Sequence, residues 1–420
     1  MATSKINFTV TDGNLFTTVA GADYVSSLVF DVTTSPSDGT AISADGEVHQ
    51  IFSVKQAEEL GITGLEAPYE TPTGDEYEGG VVHKHISDFF AVNQNGELYV
   101  GLADMSTDFT HISRVQTVAQ GRIRQQGIYT PQELFITGTP YTVDHVSAIQ
   151  SIADGDADNN KPYSVILHAS VATVSSGAEN VDIVDIPTAI GTSNRVSVTM
   201  GQANDEITNA LQDNSTTKAT VGCVGALMGA LSLANIQDSI GWTAKFDIAS
   251  VITTIAFGFG GVVTDISDNT PIDSLSPLQL DTLDGYGYIF PLTYTDYAGT
   301  FASSNQTLSA GDYRTIVRNR SIDKSSRNVR VALLPTIQQP LYVNATTGEL
   351  SIGTINQFKS IVHTQLVAMQ AAGEISGFSI TIDPNQNVLA NDGVNISYRI
   401  IPVGENKQIN VEIGLATSIS

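Results

Sequence analysis

Ile6, Phe8 and Val10 alternate with Asn7, Thr9 and Thr11, the period of a strand with one apolar face. Asp12-Gly13-Asn14 closes that strand as a turn. The next run, residues 24–32, is apolar almost throughout, as in a strand buried on both faces. From there, helix-period and strand-period segments take turns. Val54, Ala57 and Leu60 predict a short helix stopped by Gly61. Residues 79–91 read as a helix and 97–102 as a strand. Residues 142–152 read as a helix with Val143, Val146, Ile149 and Ile152 on one face, and 163–171 as a strand. Residues 219–234 form a helix of small residues, where Ala219, Gly222, Gly225, Ala226, Gly229 and Ala230 permit very close packing. A short helix at 278–283 and a strand at 287–292 follow. This alternation predicts an α/β fold: a largely parallel or mixed sheet flanked by helices on both faces.

After about residue 305 the character changes. Ser309-x-x-Asp312 reads as a capping box opening a long helix over 312–334. A second helix, 355–372, carries the apolar stripe Ile355, Phe358, Ile361, Val362, Leu366 and Met369 and stops at Gly373. Strands at 377–382 and 394–403 complete a C-terminal α+β domain. Then Ile409, Val411, Ile413 and Leu415 alternate with Asn410, Glu412 and Gly414, so the chain has an alternating strand near each end. The expected division is an N-terminal arm (1–20), an α/β domain (21–285), the α+β domain (286–403) and a C-terminal arm (404–420). Gly13 and Gly404 sit just inside the two end strands and are candidate hinges. No repeat of fixed period is found.

Only 15% of residues are charged, against the usual quarter, so the surface is covered mainly by uncharged polar groups. Such a surface loses little on meeting another protein. The 44 acidic and 19 basic residues give a net charge of −25, which argues against nucleic acid and anionic membrane as partners. Cys223 is the only cysteine, so no disulfide forms within one chain. The opening MATSKINFTV lacks the pattern of a secretory signal, and the longest apolar stretch, 248–263, is too interrupted by Gly, Ser and Thr to span a membrane. A cytoplasmic protein, or one released by lysis, is expected.

Candidate chemistry is sparse. His83-x-His85 has no third ligand beside it. Asp154, Asp156 and Asp158 start a calcium-loop spacing, but Asn159 stands where Gly is needed and Val165 where Glu is needed; a solvated acidic loop is expected. Gly258-Phe259-Gly260-Gly261 lacks the third spaced Gly and the Lys-Ser/Thr of the phosphate-binding motifs. Cys223 lies among Gly, Ala and Val and reads as an inert buried thiol. No catalytic residue, metal site or cofactor is assigned. One charge feature stands out. Only four basic residues occur between 131 and 313, whereas the helix after Asp312 carries Arg314, Arg318, Arg320, Lys324, Arg327 and Arg330. Arg314 and Arg318, like Arg320 and Lys324, are four apart and repel unless acidic partners meet them. Asp323 is expected to pair locally with Arg327, and the helix as a whole to be an interface element.

The C-terminal block GYGYIF (285–290), YAGTF (297–301), Asp312-Tyr313, VRNRSIDK (317–324) and RVALL (330–334) resembles contractile tail sheath proteins of phages, tailocins and injection systems. It is most similar to a branch in phages, prophages and injection systems of Bacteroidetes-like bacteria. Gly225-Ala226 to Leu231, SIGWTAK (239–245) and AEELGI (57–62) extend the resemblance into the N-terminal half. The resemblance implies stacked hexameric rings around an inner tube protein, with baseplate and terminator proteins as further partners. It implies an outer α/β domain and a tube-facing C-terminal domain. Contraction triggered at the baseplate would drive the tube through an envelope. The particle would be a virion tail or an extracellular contractile machine assembled in the bacterial cytoplasm. The residues alone leave open whether the end strands pair within their own subunit; the resemblance favours exchange between subunits. The alternatives are another self-assembling structural protein, such as a tube or shell subunit, and an α/β enzyme with a pocket at its strand C-termini.

Overall fold

The computed structural model describes residues 23–36, 38–66, 75–132, 135–136, 142–143, 145–169, 188–214, 220–257, 270–344, 347–386 and 393–415. In chain order its elements begin with β1 (Ser26–Asp31), β2 (Glu47–Ile51), α1 (Val54–Glu59), α2 (Asp75–Val92), β3 (Leu98–Ala103), α3 (His111–Val118) and β4 (Gln125–Tyr129). Then come a small hairpin, β5 (Phe135–Ile136) and β6 (Thr142–Val143), followed by α4 (Val146–Asp158), β7 (Ser164–His168), β8 (Val196–Thr199), β9 (Gln202–Ala203), α5 (Glu206–Asn214) and α6 (Val224–Leu233). The rest is β10 (Ile255–Phe257), β11 (Thr270–Pro271), α7 (Pro277–Gly285), β12 (Tyr288–Ile289), β13 (Pro291–Tyr294), β14 (Tyr297–Ala302), α8 (Ile316–Leu333), α9 (Ile352–Ala371), β15 (Ile375–Thr381) and β16 (Ser397–Pro402).

Seven strands form the main sheet in the order β12-β8-β7-β4-β1-β3-β2, all parallel except the β2–β3 pair. The central strands β1, β3, β4 and β7 are buried along their whole length, as parallel strands covered on both faces must be. Neighbouring residues show the two faces. Gly127 on β4 points at Val224 and Met228 of α6, while Gly101 on β3 points at His111 and Val115 of α3. The α/β architecture and the mixed, largely parallel sheet are as the sequence predicts.

The small-residue helix is α6, though it begins at Val224, so Gly222 precedes it; Ala219 lies outside the described residues. A Cβ on Gly225 would lie 2.3 Å from the carbonyl oxygen of His85, and one on Gly229 would lie 2.8 Å from Val92 Cβ. Backbone contact between α2 and α6 is therefore possible only with glycine at these two positions.

Other boundaries shift. Thr142 and Val143 belong to β6, and the helix there starts at Val146. Asp154, Asp156 and Asp158 lie on the last turns of α4 rather than on a loop. Asp156 is buried and accepts from Ser113 and Tyr163, each at 2.8 Å, which holds the segment against α3 and the sheet. The long helix starts at Ile316, not Asp312, with Thr315 as its N-cap. The expected capping box fails because residues 303–315 are committed elsewhere: Leu308 N donates to Val196 O, and Thr307 Oγ1 to Tyr313 O. These tertiary bonds outweigh a local cap.

The proposed division at residue 286 falls inside the large unit. Tyr288 and Ile289 pair with β8, and Phe290, Ala302, Leu308 and Ile316 share its core. A second core forms further on, where Val329 of α8 and Val362 and Leu366 of α9 pack against Phe378, Ile380, Tyr398 and Ile400 of the β15–β16 hairpin.

Candidate assembly surfaces

Helix α8 joins the two cores and lies across the N-terminal ends of the parallel strands. Asp23 precedes β1, Arg124 precedes β4 and Arg195 precedes β8; Asp23 and Arg195 pair with α8, and Arg124 lines the cleft beside it. Asp23 receives Lys324 at 2.7 Å and Arg327 at 2.6 Å. Burial raises the Asp23 carboxyl, but these two cations outweigh it and hold it below the usual carboxylate range. Lys324 also reaches Glu374, at 2.5 Å. Arg195 forks onto Asp323 at 3.0 and 3.2 Å. Arg320 is buried and donates to the carbonyls of Ala234 and Asn235 at 2.9 and 3.1 Å, so it caps the C-terminus of α6.

These contacts correct two expectations. Asp323 pairs with Arg195, and Arg327 with Asp23, rather than with each other; the tertiary partners offer better geometry than the adjacent turn. The basic helix is also mainly an internal lock between the two cores. Of the six cations, Lys324 and Arg327 meet carboxylates and Arg320 meets carbonyls, while Arg314, Arg318 and Arg330 have no ion pair among the described residues; Arg318 donates to the Asp312 carbonyl at 3.0 Å. A cleft of about 440 Å³ beside the helix is lined by Asp23, Arg124, Arg195, Asp323, Arg327 and Arg330.

An α/β enzyme holds its ligand outside the strand C-termini. Here Asp31, at the end of β1, accepts from Met105 N, Thr130 Oγ1 and Gln132 Nε2 at 2.6–2.8 Å. Glu78 accepts from the backbone and hydroxyls of Thr33 and Thr34. The cavity left beside them is about 30 Å³. His83 and His85 do not converge: His83 lies 3.4 Å from Glu58, while His85 is in the core with Nε2 2.9 Å from Val221 O. Among the described residues no group of three metal-ligating side chains occurs. Cys223 is buried, and burial pushes its thiol up to about 12. The Gly258–Gly261 segment lies outside the described residues. No helix among them is long and apolar enough to cross a membrane.

The surfaces without internal partners lie toward the C-terminus. The β15–β16 hairpin packs one face on α8 and α9, and the outer edge of each strand is unpaired among the described residues. Past β16, residues 403–415 make no backbone hydrogen bond to the rest of the described chain. Ile409, Val411, Ile413 and Leu415 are 74, 73, 88 and 106% exposed. Gly404 stands at the root of this arm with open space around it. Ile6, Phe8, Val10 and Gly13 lie outside the described residues.

An α/β body, an α+β layer and an undocked alternating arm together make a fold found in contractile sheaths. The fold is similar to that in the anti-feeding prophage (AFP) helical sheath in its contracted state, with TM-score 0.57, 14% identity and 99% of each chain covered. It is equally similar to that in the contracted sheath complex of an extracellular contractile injection system, PVC: TM-score 0.58, 10% identity and 99% of each chain covered. A sheath tail protein from Listeria innocua aligns with TM-score 0.51 at 9% identity, covering 91% of this chain and 92% of that one. No curated protein sequence matches the chain. The profile of DUF2586, N-terminal domain, matches residues 3–306, and that of DUF2586, C-terminal domain, matches residues 312–420. The chain belongs to the DUF2586 family.

Proposed function

We propose that this chain is the structural subunit of a contractile sheath that polymerises helically around an inner tube and shortens to drive it through a target envelope. The observation that carries the reading is the C-terminal arm. Four apolar side chains at period two stand in solvent, on backbone with no hydrogen-bond partner among the described residues. A strand of this kind is completed by the sheet edge of another molecule. The β15–β16 hairpin supplies such an edge, and a two-stranded sheet gains stability from added strands. The N-terminal pattern of Ile6, Phe8 and Val10 supplies a second arm of the same kind.

Head-to-tail contacts of this sort repeat without closing on a pair and so build rings or helices. The net charge of −25 keeps free subunits apart until specific contacts form. The full-length likeness to sheath folds supports the same reading. A tube protein, baseplate and terminator are the further partners it calls for. Among the described residues the crevice at the strand C-termini is taken up by the hydrogen bonds of Asp31 and Glu78, which favours this structural role over the enzyme alternative.

Negative-stain microscopy of the purified protein tests the proposal. Long striated cylinders are expected, and removal of residues 406–420 is expected to leave a folded subunit that no longer forms them. Normal cylinders from the truncated chain would overturn the role given to the arm, and dispersed particles from the full chain would overturn the sheath reading.

A further inference from the structure

The C-terminal arm is tied down before its alternating strand begins. Lys407 Nζ lies 2.7 and 2.9 Å from the two carboxylate oxygens of Asp284, and Asn305 Nδ2 donates to Glu405 Oε1 at 3.3 Å. Asp284 stands in the last turn of α7, where the helix dipole disfavours a carboxylate, and the Lys407 ammonium offsets that. Gln306 braces the same turn, its side-chain amide donating to the carbonyls of Asp284 and Tyr288 at 2.8 and 3.2 Å. The arm therefore starts its free path at Lys407, on the flank of the large unit, and not at Gly404.

This fixes where the recipient must be. Ile409, the first apolar residue of the alternation, is two residues beyond the tie, at most about 7 Å along the backbone. Any sheet edge that pairs with 409–415 must stand directly against this flank. The flank is built for contact. Leu278 on α7 is 75% exposed, and Tyr294 and Tyr297 at the β13–β14 turn are 44 and 48% exposed. The two tyrosine rings are braced against Phe301 at 6.0 and 5.6 Å, so little side-chain freedom remains to be lost on docking. Tyr294 sits close enough to Asp284 to feel its charge. Exposed tyrosines of this kind are enriched at protein interfaces.

We propose that α7 and the β13–β14 turn form a docking face for a second copy of this chain, occupied by that copy's β15–β16 hairpin, with the Lys407–Asp284 pair positioning the arm that joins them. The inference rests on the sheath reading and adds the face and its occupant. Asp281 on α7 and Arg399 on β16 are both exposed. Chains carrying Asp281→Cys and chains carrying Arg399→Cys are mixed, assembled and treated with a short bis-maleimide. Cys223 stays silent because it is buried. Crosslinks between copies are expected in cylinders and not with chains truncated before residue 406. Lys407→Glu is expected to raise the protein concentration needed for assembly several-fold with an unchanged thermal midpoint. Lys407→Asp combined with Asp284→Lys is expected to restore it. Cylinders without the 281–399 crosslink, or Lys407→Glu chains that assemble as readily as the unaltered one, overturn the docking face and leave the sheath reading standing. Failure of the unaltered chain to form cylinders overturns both.

Discussion

His85 and His168 flank the Tyr129 ring in the centre of the large core, each with its ring centroid 5.3 Å away. His85 Nε2 is bonded to Val221 O, and its Nδ1 accepts from Gly225 N, which requires the neutral ring. Burial lowers His85 to about 3 and His168 to about 4. The unfolded chain takes up these protons near 6.5 and the folded chain does not. Both histidines therefore contribute stability that is complete above pH 6.5 and is lost as the pH falls toward 4. Asp88 works the other way. Burial raises it to about 6 against the pull of Lys84, so between 3.8 and 6 the folded state holds the extra proton. For these three groups the net is one proton, and His111, which burial also lowers, adds to it, so at least about 1.4 kcal/mol of stability is expected to be lost per pH unit below pH 6. Urea unfolding at stepped pH measures the slope. Asp88→Asn is expected to steepen it, and a profile flat from pH 7 to 5 would contradict the assignment.

At the level of elements, the α2–α6 contact and the α8 lock determine what the subunit tolerates. Gly225→Ala puts a methyl against the His85 carbonyl at 2.3 Å, and backbone cannot give way as a side chain can. A loss of about 1–3 kcal/mol is expected by denaturant titration. The buried Arg195–Asp323 fork predicts a larger effect: Asp323→Ala leaves a guanidinium without its main partner, at a cost of about 3–5 kcal/mol. Arg320→Glu sets a carboxylate against the carbonyl end of α6 and is expected to prevent folding of the subunit, seen as loss of the circular dichroism transition. Arg330→Glu, on the exposed side of the helix, is expected to leave the thermal midpoint within about 1 °C. Equal behaviour of the two variants would contradict the division of the helix into an inner and an outer face.

For the whole molecule, the sheath function proposed above requires two packings of one folded subunit. The ionic lock across α8 makes the two cores one body, so movement is expected in the segments leading to the arms. One is the Gly13 turn of the sequence; the other runs from Gly404 to the Lys407 tie. Extended and contracted sheaths imaged by cryo-electron microscopy are expected to superpose over the sheet and the α8–α9 layer, with exchanged strands still paired. Unpairing a buried ladder would orphan its backbone groups. A shift of α8 relative to the sheet, with rigid arms, would refute this mechanism.

The sequence by itself determined the α/β alternation, the close-packed glycines of α6, the apolar stripe of α9 and the alternating ends, because each is a local periodicity of side chains. It missed β4 for the same reason, and it passed over β8 although Val196, Val198 and Met200 alternate there with Ser197 and Thr199. Gln125 and Gln126 make β4 look like surface, yet both are buried, with their amides bonded to Ser26 and to the Ile112 carbonyl. It also assigned the basic helix to an interface, since a run of cations in an acidic chain shows charge but not partners. Only the tertiary structure brought Asp23, Arg195 and Glu374, distant along the chain, to that helix and turned most of it inward. The arm lies between these cases. Its period was legible, but its lack of a backbone partner among the described residues, and its tie to Asp284, depend on where residues over a hundred positions away come to rest.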